Sequence, residues 1–104
     1  MAKNSTNTGT DTLVKDKVKV QLPKLFRVIL LNDDYTSMDF VVSVLETIFK
    51  KSPVEAMQIM LRVHNEGRGV CGVFPKQIAE TKISQVEKQA RSQGFPLRCQ
   101  MEEE

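Results

Sequence analysis

Leu25-Phe26-Arg27-Val28-Ile29-Leu30-Leu31 runs straight into Asn32-Asp33-Asp34-Tyr35. Six of the first seven residues are apolar, Arg27 being the exception, with β-branched and aromatic side chains, which suits a central strand buried on both faces. The next four end it, because Asn and Asp side chains favour turns by bonding to their own backbone. Thr36-Ser37-Met38-Asp39 then has capping-box spacing, with Thr36 as the expected cap, and predicts a helix to about Lys50. Ser52-Pro53-Val54-Glu55 repeats the signal more strongly, with Pro at the first helical position. That second helix is predicted to reach Glu66, with Gly67 as its left-handed stop.

Only Lys51 and Ser52 separate the two helices, so they are expected to form a tight αα-hairpin. Gly69-Val70-Cys71-Gly72-Val73-Phe74 reads as a second strand, ended by Pro75. A third helix, starting between Lys76 and Glu80, carries Ala79, Ile83, Val86 and Ala90 on one apolar face, and Gly94 and Pro96 close it. Leu97, Cys99 and Met101 alternate with Arg98 and Gln100, the pattern of a half-buried last strand. The expected fold class is α+β: one small domain, β-α-α-β-α-β, with a small sheet covered by helices.

Upstream of Leu25 the character changes. Residues 1–12 are polar and low in complexity, and only Leu13, Val14, Val18, Val20 and Leu22 interrupt the polar residues before Pro23. Residues 1–24 therefore read as a flexible N-terminal extension, and 25–104 as the folded unit. Of fifteen Lys and Arg in the 104 residues, five lie in that extension with two of the thirteen acidic residues. Ten basic and eleven acidic groups remain for the folded part, a balance that argues against nucleic acid as a partner. No apolar run approaches the ~20 residues of a membrane helix, and no secretory leader pattern opens the chain, so a cytoplasmic protein is expected. The two cysteines, Cys71 and Cys99, and the single histidine have no metal-ligand spacing, so no metal and no other cofactor is expected. A disulfide between them is conceivable; two reduced, buried thiols is the simpler reading.

The helical hairpin is the informative part. Met38, Phe40, Val41, Val42, Val44, Leu45, Ile48 and Phe49 make an apolar stripe wider than a helix needs to face one sheet. Two such stripes side by side either bury each other fully or leave a groove, and methionine suits a surface that adapts to apolar guests. His64 follows Met57, Met60 and Leu61 on one face of the second helix, near its C-terminus, where the helix dipole alone also favours a histidine. If the first strand runs alongside that helix, Asn32, Asp33 and Asp34 approach the same surface. Asn, Asp and a neutral imidazole are acceptors, and an ammonium is a compact cation with three donors. A shallow apolar pocket rimmed by acceptors suits the first residue of a peptide, with its free α-amino group and bulky side chain.

Other chemistries fit less well. Asp33-Asp34 lacks a third metal ligand, and Gly67, Gly69 and Gly72 precede a strand rather than a helix, so they form no phosphate loop. A cysteine hydrolase using Cys71, His64 and Asp33 can be written down, but Cys71 lies mid-strand with no activating helix N-terminus. A ribosome-stalk-like interaction domain is the remaining alternative.

Asn32-Asp33-Asp34-Tyr35-Thr36 followed by Met38 and Phe40-Val41 resembles the opening signature of the ClpS family, adaptors of ClpA-type AAA+ unfoldases. Met60-Leu61-Arg62-Val63-His64-Asn65-Glu66-Gly67-Arg68-Gly69-Val70-Cys71-Gly72-Val73-Phe74 is similar to a second block of that family, as are Ala79-Glu80-Thr81-Lys82 and Pro96-Leu97. The match runs in order from residue 25 to about 101. The resemblance implies three helices on a three-stranded sheet, and an adaptor rather than an enzyme. It implies that N-degron substrates, with N-terminal Leu, Phe, Tyr or Trp, are delivered to the unfoldase. By position, Asn32, Asp33 and His64 resemble the α-amino binders. Thr36, Met38, Val41, Met60, Val63 and Leu97 resemble the side-chain pocket, with Met38 the gate against β-branched residues and Asp34 at the rim. Glu80 and Lys82 fall in the region that the family presents to the unfoldase; position 77, often acidic in the family, is Gln here.

Overall fold

A computed structural model describes residues 21–104. The extension expected over residues 1–24 lies, as far as residue 20, outside the described residues. Strand β1 (Leu25–Leu31) is followed by helices α1 (Met38–Thr47) and α2 (Pro53–Glu66). Strand β2 (Arg68–Pro75), helix α3 (Lys76–Ser92) and strand β3 (Arg98–Glu103) complete the chain. The expected β-α-α-β-α-β order is observed.

The continuous apolar run of β1 takes the central place. The sheet order is β2-β1-β3, both pairings are antiparallel, and Val28, Ile29 and Leu30 are fully buried. Val28 and Leu30 join Val44, Leu45, Ile48, Ile59, Val86 and Leu97 in the main core. The α3 face expected from its spacing is the buried one: Ala79, Val86 and Ala90 are covered and Ile83 packs against them.

α2 begins as its sequence dictates. The Ser52 hydroxyl accepts from the Glu55 N–H, Glu55 answers on the Ser52 N–H, and Gly67 closes the helix at φ 91°. Gly69 then lets β2 come up against α2, since a Cβ there would lie 2.8 Å from Val63 Cγ2 and 3.3 Å from the Ile59 carbonyl.

α1 departs from expectation at both ends. Its cap is Ser37, whose hydroxyl accepts from the Phe40 N–H at 3.1 Å, and Thr36 is held elsewhere. It stops at Thr47 rather than Lys50. Phe49 N–H reaches back to the Val44 carbonyl, Lys51 N–H to that of Leu45, and Lys50 turns left-handed at φ 56°. This wide turn swings Ile48 and Phe49 into the core, where both are buried.

In β2, register slips by one residue between Val28 and Ile29, so Cys71 is an extra residue in the ladder, a β-bulge. Cys71 and Cys99 stand on the two strands that flank β1. Strands two apart in a sheet are roughly 9–10 Å from each other, beyond disulfide reach, and both thiols are free.

Candidate functional site

The hollow is built where β1 ends. Asn32 N–H donates to the Gly67 carbonyl at 2.9 Å, which fastens the end of β1 to the C-terminal stop of α2. His64 lies one helical turn before Gly67, so that single backbone bond brings it to Asn32. The next residue folds the loop. Asp33 Oδ1 accepts from the Tyr35 N–H at 2.8 Å and the Thr36 N–H at 2.7 Å, and Oδ2 accepts from the Thr36 hydroxyl at 2.7 Å. Partial burial works against ionisation of this carboxyl, but the bonds from Thr36 and Tyr35 together outweigh it and hold the pKa below the ordinary aspartate value. The turn delivers the chain to Ser37 and starts α1, which places Met38 and Val41 across from Met60 and Val63 of α2.

The result is an open hollow of about 270 Å³ lined by Asn32, Asp33, Asp34, Thr36, Met38, Val41, Met60, Val63 and His64. Val41, Met60 and Val63 are buried and form its floor; Met38, 45% exposed, stands at its mouth. Because the Thr36 hydroxyl is bound to Asp33, its methyl is the part left for the apolar side. Acceptors gather at the β1 end, and between Val28 and Phe49 the chain carries Asp33, Asp34, Asp39 and Glu46 with no Lys or Arg. Such a site attracts a cation at one end and an apolar group at the other.

Nine of the ten hollow residues named from the sequence line this one cavity. Leu97 does not. Register pairs Leu31 with Arg98, so Leu97 sits one step on, at the same end of the sheet as Asn32. It is buried and faces a neighbouring cavity of about 260 Å³ with Glu87, Arg91, Phe95, Pro96 and Arg98.

Comparison with known proteins identifies the family. The sequence model of the family described as "ATP-dependent Clp protease adaptor protein ClpS" matches residues 21–100. The chain belongs to the ClpS family. It is 58% identical over 93 residues to the adapter protein ClpS of Wolinella succinogenes, covering 89% of this chain and 91% of the relative. Identity to the Oleidesulfovibrio alaskensis protein of that name is 56% over 101 residues, 97% and 95% of the two chains. The solved structure of Agrobacterium tumefaciens ClpS2 bound to L-phenylalaninamide superposes with a TM-score of 0.77 at 40% identity, over 80% of this chain and all of that one.

Outside the hollow, this ClpS chain places Glu80 exposed in the first turns of α3. Lys82, named with it as unfoldase-facing, is engaged within the domain. Its ammonium donates to the Ile48 carbonyl at 2.8 Å and lies 5.3 Å from the Phe74 ring centre and 5.9 Å from that of Phe49. It satisfies a carbonyl that the wide turn after α1 leaves open.

Cys71 does not line the hollow that holds His64. Burial pushes its thiol up to about 12, which disfavours the nucleophilic thiolate, and burial raises the Cys99 thiol as well. Among the described residues no cluster of three His, Cys, Asp or Glu is placed to hold a metal ion, and no helix is long and apolar enough to cross a membrane.

Proposed function

We propose that this ClpS chain is a cytoplasmic adaptor without catalytic activity of its own. It holds N-terminal Leu, Phe, Tyr or Trp in the hollow and passes the attached N-degron substrate to a ClpA-type AAA+ unfoldase of the Clp protease. The carrying observation is that side chains from the β1 loop, α1 and α2 surround one cavity with acceptors at one end and an apolar floor at the other.

At about 270 Å³ the cavity falls just short of the roughly 300–1,000 Å³ of drug-sized ligand sites, so it holds one residue and not a length of peptide. The α-ammonium of that residue donates to the Asn32 side-chain oxygen, a neutral His64 ring nitrogen and the lone pair that Asp33 has left after its three intraloop bonds. The bulky side chain lies on Val41, Met60 and Val63 beside the Thr36 methyl, with Asp34 at the rim. Met38 narrows the mouth and excludes β-branched residues at their crowded Cβ. Leu97 enters as support beneath the strand end and not as a contact. Glu80 and its neighbours on α3 meet the N-terminal domain of the unfoldase, with Lys82 holding the turn behind them. That the relative from Agrobacterium tumefaciens binds L-phenylalaninamide, a free α-amino group on a benzyl side chain, supports the reading.

Calorimetric titration with short peptides beginning with Phe or Leu tests it. Binding is expected for the free amines, and a loss of roughly a hundredfold or more on N-acetylation, which removes the charge and leaves the acceptors covered by the ligand unmatched. Equal affinity for both forms would contradict the site.

A further inference from the structure

The hollow accounts for only part of the apolar surface on the hairpin. Val54, Met57 and Leu61 of α2 are 67%, 47% and 44% exposed, large fractions for apolar side chains on a packed helix. They are not scattered. At 54, 57 and 61, with His64 next in the series, they follow the i, i+3, i+7, i+10 spacing of one ridge. That ridge flanks the Met60 row and ends in His64, a lining residue of the hollow. The opposite flank carries Glu55, Gln58, Arg62 and Glu66. An apolar track therefore leads out of the cavity, bounded on its far side by charge.

The geometry points to this ridge as a second part of the substrate site, one that takes the side chains of residues two to five of an N-degron when these are apolar. The inference rests on the proposed reading of the hollow. In this proposal the substrate chain runs from the Asn32–Asp33 end of the hollow along α2 toward the helix N-terminus. Val54 lies ten residues before His64, about 15 Å at the helical rise of 1.5 Å per residue. An extended peptide advances about 3.3 Å per residue, so four to five residues cover the ridge. Successive side chains alternate, so alternate positions face the ridge. The contact is open to solvent on one side, and its effect is a preference among substrates rather than a requirement.

The test compares three probes on the full chain and on the Met57→Gln/Leu61→Gln variant: L-phenylalaninamide, a peptide with Phe followed by serines, and peptides with leucines in either alternate frame of residues two to five. On the unaltered chain one leucine frame is expected to bind about fivefold tighter than the serine peptide, as burial of ~40 Å² of apolar surface gives. The variant should erase that gain and leave L-phenylalaninamide binding unchanged, which also reports that it has folded; Gln58→Ala on the opposite flank should change nothing. Leucine peptides no tighter than serine, or a gain that survives the variant, overturns the ridge while leaving the hollow intact. A self-associated form that the double variant dissolves assigns the ridge to a second copy and overturns it too. No binding of L-phenylalaninamide to the unaltered chain removes the hollow, and the ridge with it.

Discussion

The two helices of the hairpin start in different ways. α2 opens on a closed local circuit: Ser52 and Glu55 satisfy each other's backbone N–H groups, Pro53 needs none, and nothing distant takes part. α1 has similar material, a Thr and a Ser with an Asp three residues after the Thr, but uses it otherwise. Ser37 caps the helix alone, and Thr36 turns back onto Asp33. The difference follows from what each start is next to. α2 begins far from the hollow and only has to begin. α1 begins at its rim, where three accepted bonds fix Asp33 in direction and favour its ionised form, so the residue with the better capping-box position is drawn into the loop. A carboxylate accepting three short bonds is an ordered negative charge, and an ordered negative charge is what an ammonium ligand needs.

This contrast is open to direct attack. The largest effect is expected from Asp33→Ala, which removes the hinge of the loop as well as its charge. Affinity for a Phe-first peptide should fall by about ten- to a hundredfold, the range for losing one charge-assisted bond. Chemical stability should drop by only about 1 kcal/mol, because the loop is largely solvated. Titration and urea unfolding on the same variant check both numbers. Affinity kept within a factor of two would remove Asp33 from the site. A smaller effect, and of the other kind, is expected from Ser52→Ala. Loss of this cap costs about 1 kcal/mol of stability, with peptide affinity unchanged. If Ser52→Ala weakens binding as much as Asp33→Ala, the two starts are not functionally separate and the comparison fails.

Most of the architecture was legible because its signals are local. The unbroken run of β1, the capping box and Gly67 of α2, and the Ala79–Ala90 spacing of α3 each carry their meaning within a few residues. Most of what was missed depends on contacts between distant segments. Thr36 is the exception: Asp33, three residues before it, and the helix start compete for the same hydroxyl, and spacing alone does not say which wins. The end of α1 is set by where Ile48 and Phe49 can be buried, and the helix pattern continues to Lys50 regardless. The bulge at Cys71 appears only once β2 is paired with β1. The start of α3 stayed open between Lys76 and Glu80 because no side chain caps it; Pro75 precedes it without a hydrogen bond. Lys82 looks like a solvated charge on a helix, and its partner, the Ile48 carbonyl, is on another element. At the hollow, residue types were readable and their roles less so. Asn32 and His64 meet through a backbone bond to Gly67, a contact that side-chain pattern does not encode.

The smallest expected effect sharpens the claim that the Asp33 charge, and not only its shape, organises the rim. Its folded pKa is depressed, so the carboxylate's contribution is fully present above the ordinary unfolded value near 3.9 and is lost as pH falls through the folded value. Asp33→Asn keeps the shape and an acceptor for the two N–H groups, but an amide nitrogen cannot accept from the Thr36 hydroxyl. The unaltered chain should therefore be more stable than Asp33→Asn at pH 7, by less than about 1 kcal/mol given the loop's exposure. The gap should close steadily below about pH 4, as the native carboxyl takes up its proton and becomes the poorer acceptor. Differencing urea midpoints of the two chains at each pH cancels the other carboxylates, which titrate equally in both. A gap that stays level down to pH 2.5, or widens on acidification, would mean that the loop is held by geometry alone, and that α1 starts where it does for a reason other than the charge beside it.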